Sequence, residues 1–173
     1  VVGALCAIRP WDIQYELEPE TVCRNLKEYL HFKVDHFNFD YGAPVYGSAV
    51  HDYLALYLGC IIDEKAEASH LDIRAFKMIY EHKTVMLERL QSIESCLHWE
   101  PEYSKAYSEI VRNAEKLWYR SLYYLQTNRW SVLFQMRDLI LEIGHREADV
   151  LKGAVSKLED ELCRVGDGHC SIL

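Results

Sequence analysis

The chain has 173 residues, half of them hydrophobic, which makes one ordinary domain with enough apolar bulk for a real core. Its formal net charge is −8 and no basic stripe is visible, which excludes the usual electrostatic footprint of a nucleic-acid binder. An acidic surface suits cations and metal ions, and it equally serves plain solubility.

Val1-Val2-Gly3-Ala4-Leu5-Cys6-Ala7 is apolar, uncharged and rich in small residues. It reads as the end of a secretory signal peptide cut after Ala7, with a buried N-terminal strand or arm as the alternative. Neither a positive n-region nor an initiator Met accompanies it, as expected of a fragment. Residues 8–19 form an irregular arm punctuated by Pro10 and Pro19. Pro19 suits a helix start, where its missing N–H costs nothing.

A first helix is expected from about Glu20 to Phe39, with Val22, Leu26, Tyr29, Leu30 and Phe37 at helical spacing. Residues 40–48 hold two glycines and a proline and form a loop, after which Ser48 can cap the next helix. That helix carries Val50, Tyr53, Leu54, Tyr57, Ile61, Ala68 and Leu71 on one face. Ser69-His70-Leu71-Asp72 has the form of a capping box, so a break or kink is expected near Ser69. Helical spacing then continues through Phe76, Ile79, Tyr80 and Leu87 to about Leu97.

A third long helix spans about Ser104 to Thr127. Asn128-Arg129-Trp130 makes a tight turn with Ser131 as cap, and the last helix runs from about Val132 to Leu162, followed by Gly166 and Gly168. No segment alternates as a strand does, and none reaches the ~18 apolar residues of a membrane span. The fold class is therefore all-α: four long helices, or five if residues 49–97 split, packed as a bundle domain over residues 20–165 with a tail at 166–173.

Three of the apolar faces are interrupted by a carboxylate. Glu64 follows Tyr57 and Ile61, Glu115 sits between Val111 and Trp118, and Glu147 lies between Ile143 and Leu151. A lone ionised carboxylate in a core costs several kcal/mol, and convergence on a shared cation removes that cost. Asp63 and Glu67 neighbour Glu64, while Tyr29 and His36 on the first helix point in a compatible direction. Oxygen ligands with one nitrogen suit a hard or borderline divalent metal such as iron. The plainer reading is that each glutamate reaches solvent or meets an Arg or Lys. Glu67–His70 and Glu142–His145 both have the E-x-x-H spacing of di-iron carboxylate proteins, but Glu142 lies off the apolar face and His70 falls at the expected break. His82 and His98 read as surface residues.

Six cysteines fit a secretory chain. Cys163 and Cys170 could pair with each other or with Cys23. Without a C-x-x-C motif, a thiolate zinc site is not expected. Cys170-Ser171-Ile172-Leu173 is also a formal C-a-a-X box, so the opposing reading is a cytoplasmic chain prenylated at Cys170.

On the third helix Ala114-Glu115-Lys116 is followed by Ser121-Leu122 and Leu125; on the last, His145-Arg146-Glu147-Ala148-Asp149 is followed by Leu151-Lys152; on the second, Leu56-Tyr57 precedes Asp63-Glu64-Lys65-Ala66-Glu67, with Asp35 and Tyr46 in register. In order and spacing these runs resemble a ferritin subunit, particularly the secreted light-chain type of insects, over roughly residues 17–163. The resemblance implies a ferritin-like antiparallel four-helix bundle with one long crossover, at about residues 80–103 here, although that stretch reads as helical. It implies a shell built with other ferritin subunits that stores or carries iron. It also implies an incomplete ferroxidase centre, with Glu64 and Glu115 matching, Glu147 approximate, Tyr29 in place of a glutamate and Glu67 in place of a histidine. No counterpart of the fifth short helix of that family is expected after Gly168. The competing expectation, from a different class, is a secreted, disulfide-stabilised helical-bundle binding or signalling protein.

Overall fold

The computed structural model describes residues 17–31, 47–63 and 71–167. These form five helices and one 3-10 turn, with no strand among the described residues: α1 (Pro19–His31), the 3-10 turn (Gly47–Ala49), α2 (Val50–Asp63), α3 (Ile73–Cys96), α4 (Glu102–Thr127) and α5 (Trp130–Asp167). The expected split of residues 49–97 is real.

α1 begins at Pro19, as expected, with Glu20 in the first turn where it complements the helix dipole. It buries Cys23 and Leu26. The expected stretch beyond His31, including His36 and Phe37, lies outside the described residues. Ser48 does not cap α2; its hydroxyl donates to the Leu30 carbonyl, 3.2 Å away, and so ties the turn to the end of α1. Gly47 takes φ 63°, a left-handed conformation that glycine adopts without strain.

Asp72, not Ser69, caps α3. Its carboxylate accepts from the Arg74 backbone N–H at 3.0 Å and from the Arg74 guanidinium at 2.9 and 2.7 Å. Phe76, Ile79, Lys83, Met86, Leu90 and Ile93 form its buried stripe, a strict three-four alternation with a lysine in the middle. The helix ends in a Schellman turn: His98 sits at φ 54°, its N–H donates to Ser95, and the Trp99 N–H reaches back to Glu94.

α4 starts after Pro101, which offers no side-chain cap. The buried Glu94 supplies one from across the turn, accepting from the backbone N–H groups of Tyr103 at 2.7 Å and Ser104 at 3.0 Å. α4 buries Tyr107, Ile110, Ala114, Leu117, Ser121 and Tyr124, and ends at Asn128 in the left-handed conformation. α5 starts at Trp130, ahead of the expected Ser131 cap, and continues past Leu162 through Gly166. Its 38 residues span roughly 57 Å.

The long α5 is the axis of the bundle, with α1, α2 and α4 packed on it and α3 packed on α4. The stretch expected as a crossover, residues 80–103, is instead most of α3, the short turn after it and the start of α4. Short turns make α3, α4 and α5 successive antiparallel neighbours. Two glycines of α5 allow close approach. A Cβ on Gly144 would stand 2.9 Å from the His51 Cβ, and one on Gly153 would stand 3.0 Å from the Tyr103 ring. The core is formed by residues of all five helices. No helix of the described residues is long and apolar enough to cross a membrane.

Candidate functional site

The helical repeat of α5, in steps of three and four residues, carries Ile140, Ile143, Glu147, Leu151 and Ala154 into the core, so Glu147 is fully buried, at 0 % exposure. Each of the other four helices sends one polar side chain to it. Lys83 of α3 donates through Nζ to Oε1 at 2.8 Å and Oε2 at 2.7 Å. Tyr29 of α1 donates to Oε2 at 2.9 Å and accepts from Lys83 at 3.0 Å. Tyr107 of α4 donates to Oε1 through a short hydrogen bond. His51 of α2 brings Nε2 to 3.5 Å from Oε2.

The His51 ring is oriented by the Ser48 carbonyl, 2.9 Å from Nδ1. A carbonyl only accepts, so Nδ1 carries the proton, and in the neutral ring Nε2 presents a lone pair to the carboxylate. Nε2 accordingly has no hydrogen-bond partner. Gly144, one turn before Glu147, permits this close approach of α2.

Burial pushes the Glu147 carboxyl up, but the Lys83 ammonium, with the hydrogen bonds from Lys83 and Tyr107, holds it below its ordinary value. Burial lowers Lys83, with Glu147 opposing. Burial also lowers His51, and the Lys83 charge adds to the effect. Burial and then the Glu147 charge raise both tyrosines far above the ordinary phenol value. The cluster is an ion pair clamped by two neutral phenols. All four acceptor positions of the carboxylate that face donors are filled by protein groups.

That donor set does not fit a metal ion at Glu147. A divalent cation there would stand beside the Lys83 ammonium, which already supplies the counter-charge. Glu115 is half-buried on α4, two turns beyond Tyr107, roughly 12 Å along the helix, and Tyr107 is the α4 residue that meets Glu147. Asp63 is exposed at the end of α2. Glu64, Glu67 and His36 lie outside the described residues, as does Cys170. Glu142 and His145 are exposed, with Glu142 paired to Arg146 at 3.0 Å. Among the described residues no group of three or more His, Cys, Asp or Glu is placed to hold a metal. Cys23, Cys60, Cys96 and Cys163 are thiols, of which only Cys23 is buried.

Beside the cluster, between α2 and α3, lies a groove of about 390 Å³ walled by Val50, Leu54, Ala75, Met78 and Ile79. Tyr29 and Lys83 stand at its polar end, where the Tyr29 ring stacks on His82 at 5.6 Å.

Sequence reading brought out Glu147 and its neighbour Tyr29, and missed Lys83, His51 and Tyr107. The signal for Lys83 was available: it stands seven residues from both Phe76 and Leu90 in an otherwise apolar stripe. A charge inside a stripe is informative whichever its sign. Compared with known proteins, the chain matches no family model, no curated protein and no solved structure.

Proposed function

We propose that the chain is a mainly structural helical-bundle subunit of a secreted iron-storing shell of the ferritin type, with the oxidation of iron left to partner subunits. The observation that carries a structural rather than a metal-oxidising role is the neutralisation of Glu147 by Lys83 and two tyrosines. A carboxylate held this way fixes the positions of five helices and has no donor atom to spare for a cation. Support for the shell itself is the ordered run of motifs around Glu115 and Glu147 together with the all-helical bundle. Iron enters this reading as cargo. The test is native mass together with bound iron: a shell has many times the 20.3 kDa of one chain and carries iron after loading with ferrous salt and air. A monomer free of iron rejects the proposal.

The alternative, a secreted binding or signalling bundle, draws on a different observation. Tyr119 and Tyr123 lie one turn apart on α4, opposite its buried face, and are 60 % and 42 % exposed. Aromatic side chains in such positions favour protein contacts. In a shell this face would meet another subunit; in a signalling bundle it would meet a different protein. A monomer of about one chain mass, unaltered by iron, is the outcome that favours the second reading.

A further inference from the structure

α1 and α5 run antiparallel. Lys27 pairs with Glu159 at 2.5 Å and Tyr29 bonds to Glu147, so numbers rising along α1 meet numbers falling along α5. In such a pair, residues one turn back on one helix and one turn forward on the other face each other again. One turn from Lys27 is Cys23, and one turn from Glu159 is Cys163. Both cysteines line the same cleft between the two helices, with Lys27, Glu159 and Leu162. Cys23 is buried and Cys163 is exposed.

From this register we propose that Cys23 and Cys163 are a redox-responsive pair that forms a disulfide joining the start of α1 to the end of α5. Of the partners the sequence left open for Cys23, Cys163 lies within the described residues and lines the same cleft. The step is thiol–disulfide exchange with a small-molecule disulfide such as oxidised glutathione. The exposed Cys163 thiolate attacks one glutathione sulfur, forming a mixed disulfide and releasing one glutathione thiolate. Cys23, as thiolate, then attacks the Cys163 sulfur, forms the protein disulfide and releases the second glutathione. Two protein thiols lose two electrons and two protons, and one glutathione disulfide becomes two thiols. The bridge closes a loop that contains most of the chain, so it restricts the unfolded state strongly. It acts independently of any iron chemistry.

The experiment incubates the full chain with oxidised glutathione, blocks remaining thiols, and digests it unreduced with trypsin and a glutamate-specific protease. Cleavage after Arg164 separates Cys163 from Cys170, and cleavage after Glu16 or Glu20 separates Cys6 from Cys23. The expected product is a cross-linked peptide pair containing Cys23 and Cys163. Its formation should raise the melting temperature by about 10 °C over the reduced protein. Cys163→Ser should abolish both, while melting like the wild type in reductant. Cys23 joined to Cys170 instead, or Cys163 stopping at the glutathione adduct with Cys23 still reduced, overturns the proposal.

Discussion

Two glutamates are buried among the described residues, and they are held in opposite ways. Glu147 is held by side chains from four other helices, three of them donating hydrogen bonds to it from positions 118, 64 and 40 residues away in sequence. Glu94 is held by two backbone N–H groups 9 and 10 residues downstream, at the start of the very next helix. The first carboxylate is satisfied only when the whole tertiary structure is assembled. The second completes a local turn, replacing the cap that Pro101 does not provide. A buried charge thus serves global register in one place and local chain reversal in another.

The largest way to break the contrast is at Lys83. Lys83→Met leaves Glu147 buried with no cation, and should cost about 3–5 kcal/mol of unfolding free energy. The double variant Lys83→Met/Glu147→Met should recover most of that loss, because it removes both buried charges together. Urea titration measures both, and a fully additive double variant would mean that the ion pair is not coupled. Next is Gly144→Ala, whose new Cβ would meet His51 Cβ at 2.9 Å and Cγ at 3.0 Å, both close to the α2 backbone and unable to swing away. A loss of about 1–3 kcal/mol is expected, and a crystal structure should show α2 displaced from α5. A neutral result would show that the two helices are not in contact there.

Glu94→Ala removes the cap of α4 and should cost about 1–2 kcal/mol, with hydrogen exchange accelerated at the Tyr103 and Ser104 amides and not around Glu147. Equal acceleration at both sites would erase the distinction between local and global roles. The smallest effect is in pH. The folded chain holds His51 below its ordinary value of 6.5, so the unfolded chain binds that proton more readily. Stability is then complete above about pH 6.5 and erodes as pH falls, by no more than about 1.4 kcal/mol per pH unit for this one proton. Glu147, lowered from its ordinary 4.5, adds a second loss as pH falls below that value. His51→Asn should flatten the curve between pH 6.5 and 5 and leave the lower limb. An unchanged upper limb would assign it to other groups.

Much of the fold was legible because helices announce themselves through spacing and breakers. The α4 and α5 spans, the split between α2 and α3, and Pro19 at a helix start all follow from local rules. What was misread is rotational. The α2 face was drawn through Val50, Tyr53, Leu54, Tyr57 and Ile61, of which Ile61 is buried, together with His51, Ala55 and Leu58; the α4 face was drawn through Val111, Glu115, Trp118 and Leu122, whereas Ile110, Ala114 and Leu117 are buried. Each error is one residue, about 100° of helix turn, and each arose from weighting large aromatic side chains that sit half-buried at a margin over small or polar ones in the centre. The same bias explains the site. Glu147 was found because it interrupts a run of isoleucine and leucine. Lys83 and His51 were passed over because a search for acids gathering on a cation does not look for a cation supplied by the chain.

The reach of Glu94 across its turn carries over to the order in which the bundle assembles. Contacts that close a short stretch of chain cost little loop entropy, whereas Glu147 must wait for helices that are distant in sequence. The α3–α4 hairpin is therefore expected to be present in the folding transition state, with the α1 and α2 attachments forming later. Stopped-flow kinetics should then find that Glu94→Ala mainly slows refolding and Lys83→Met mainly hastens unfolding, and the reverse assignment would refute that sequence of events.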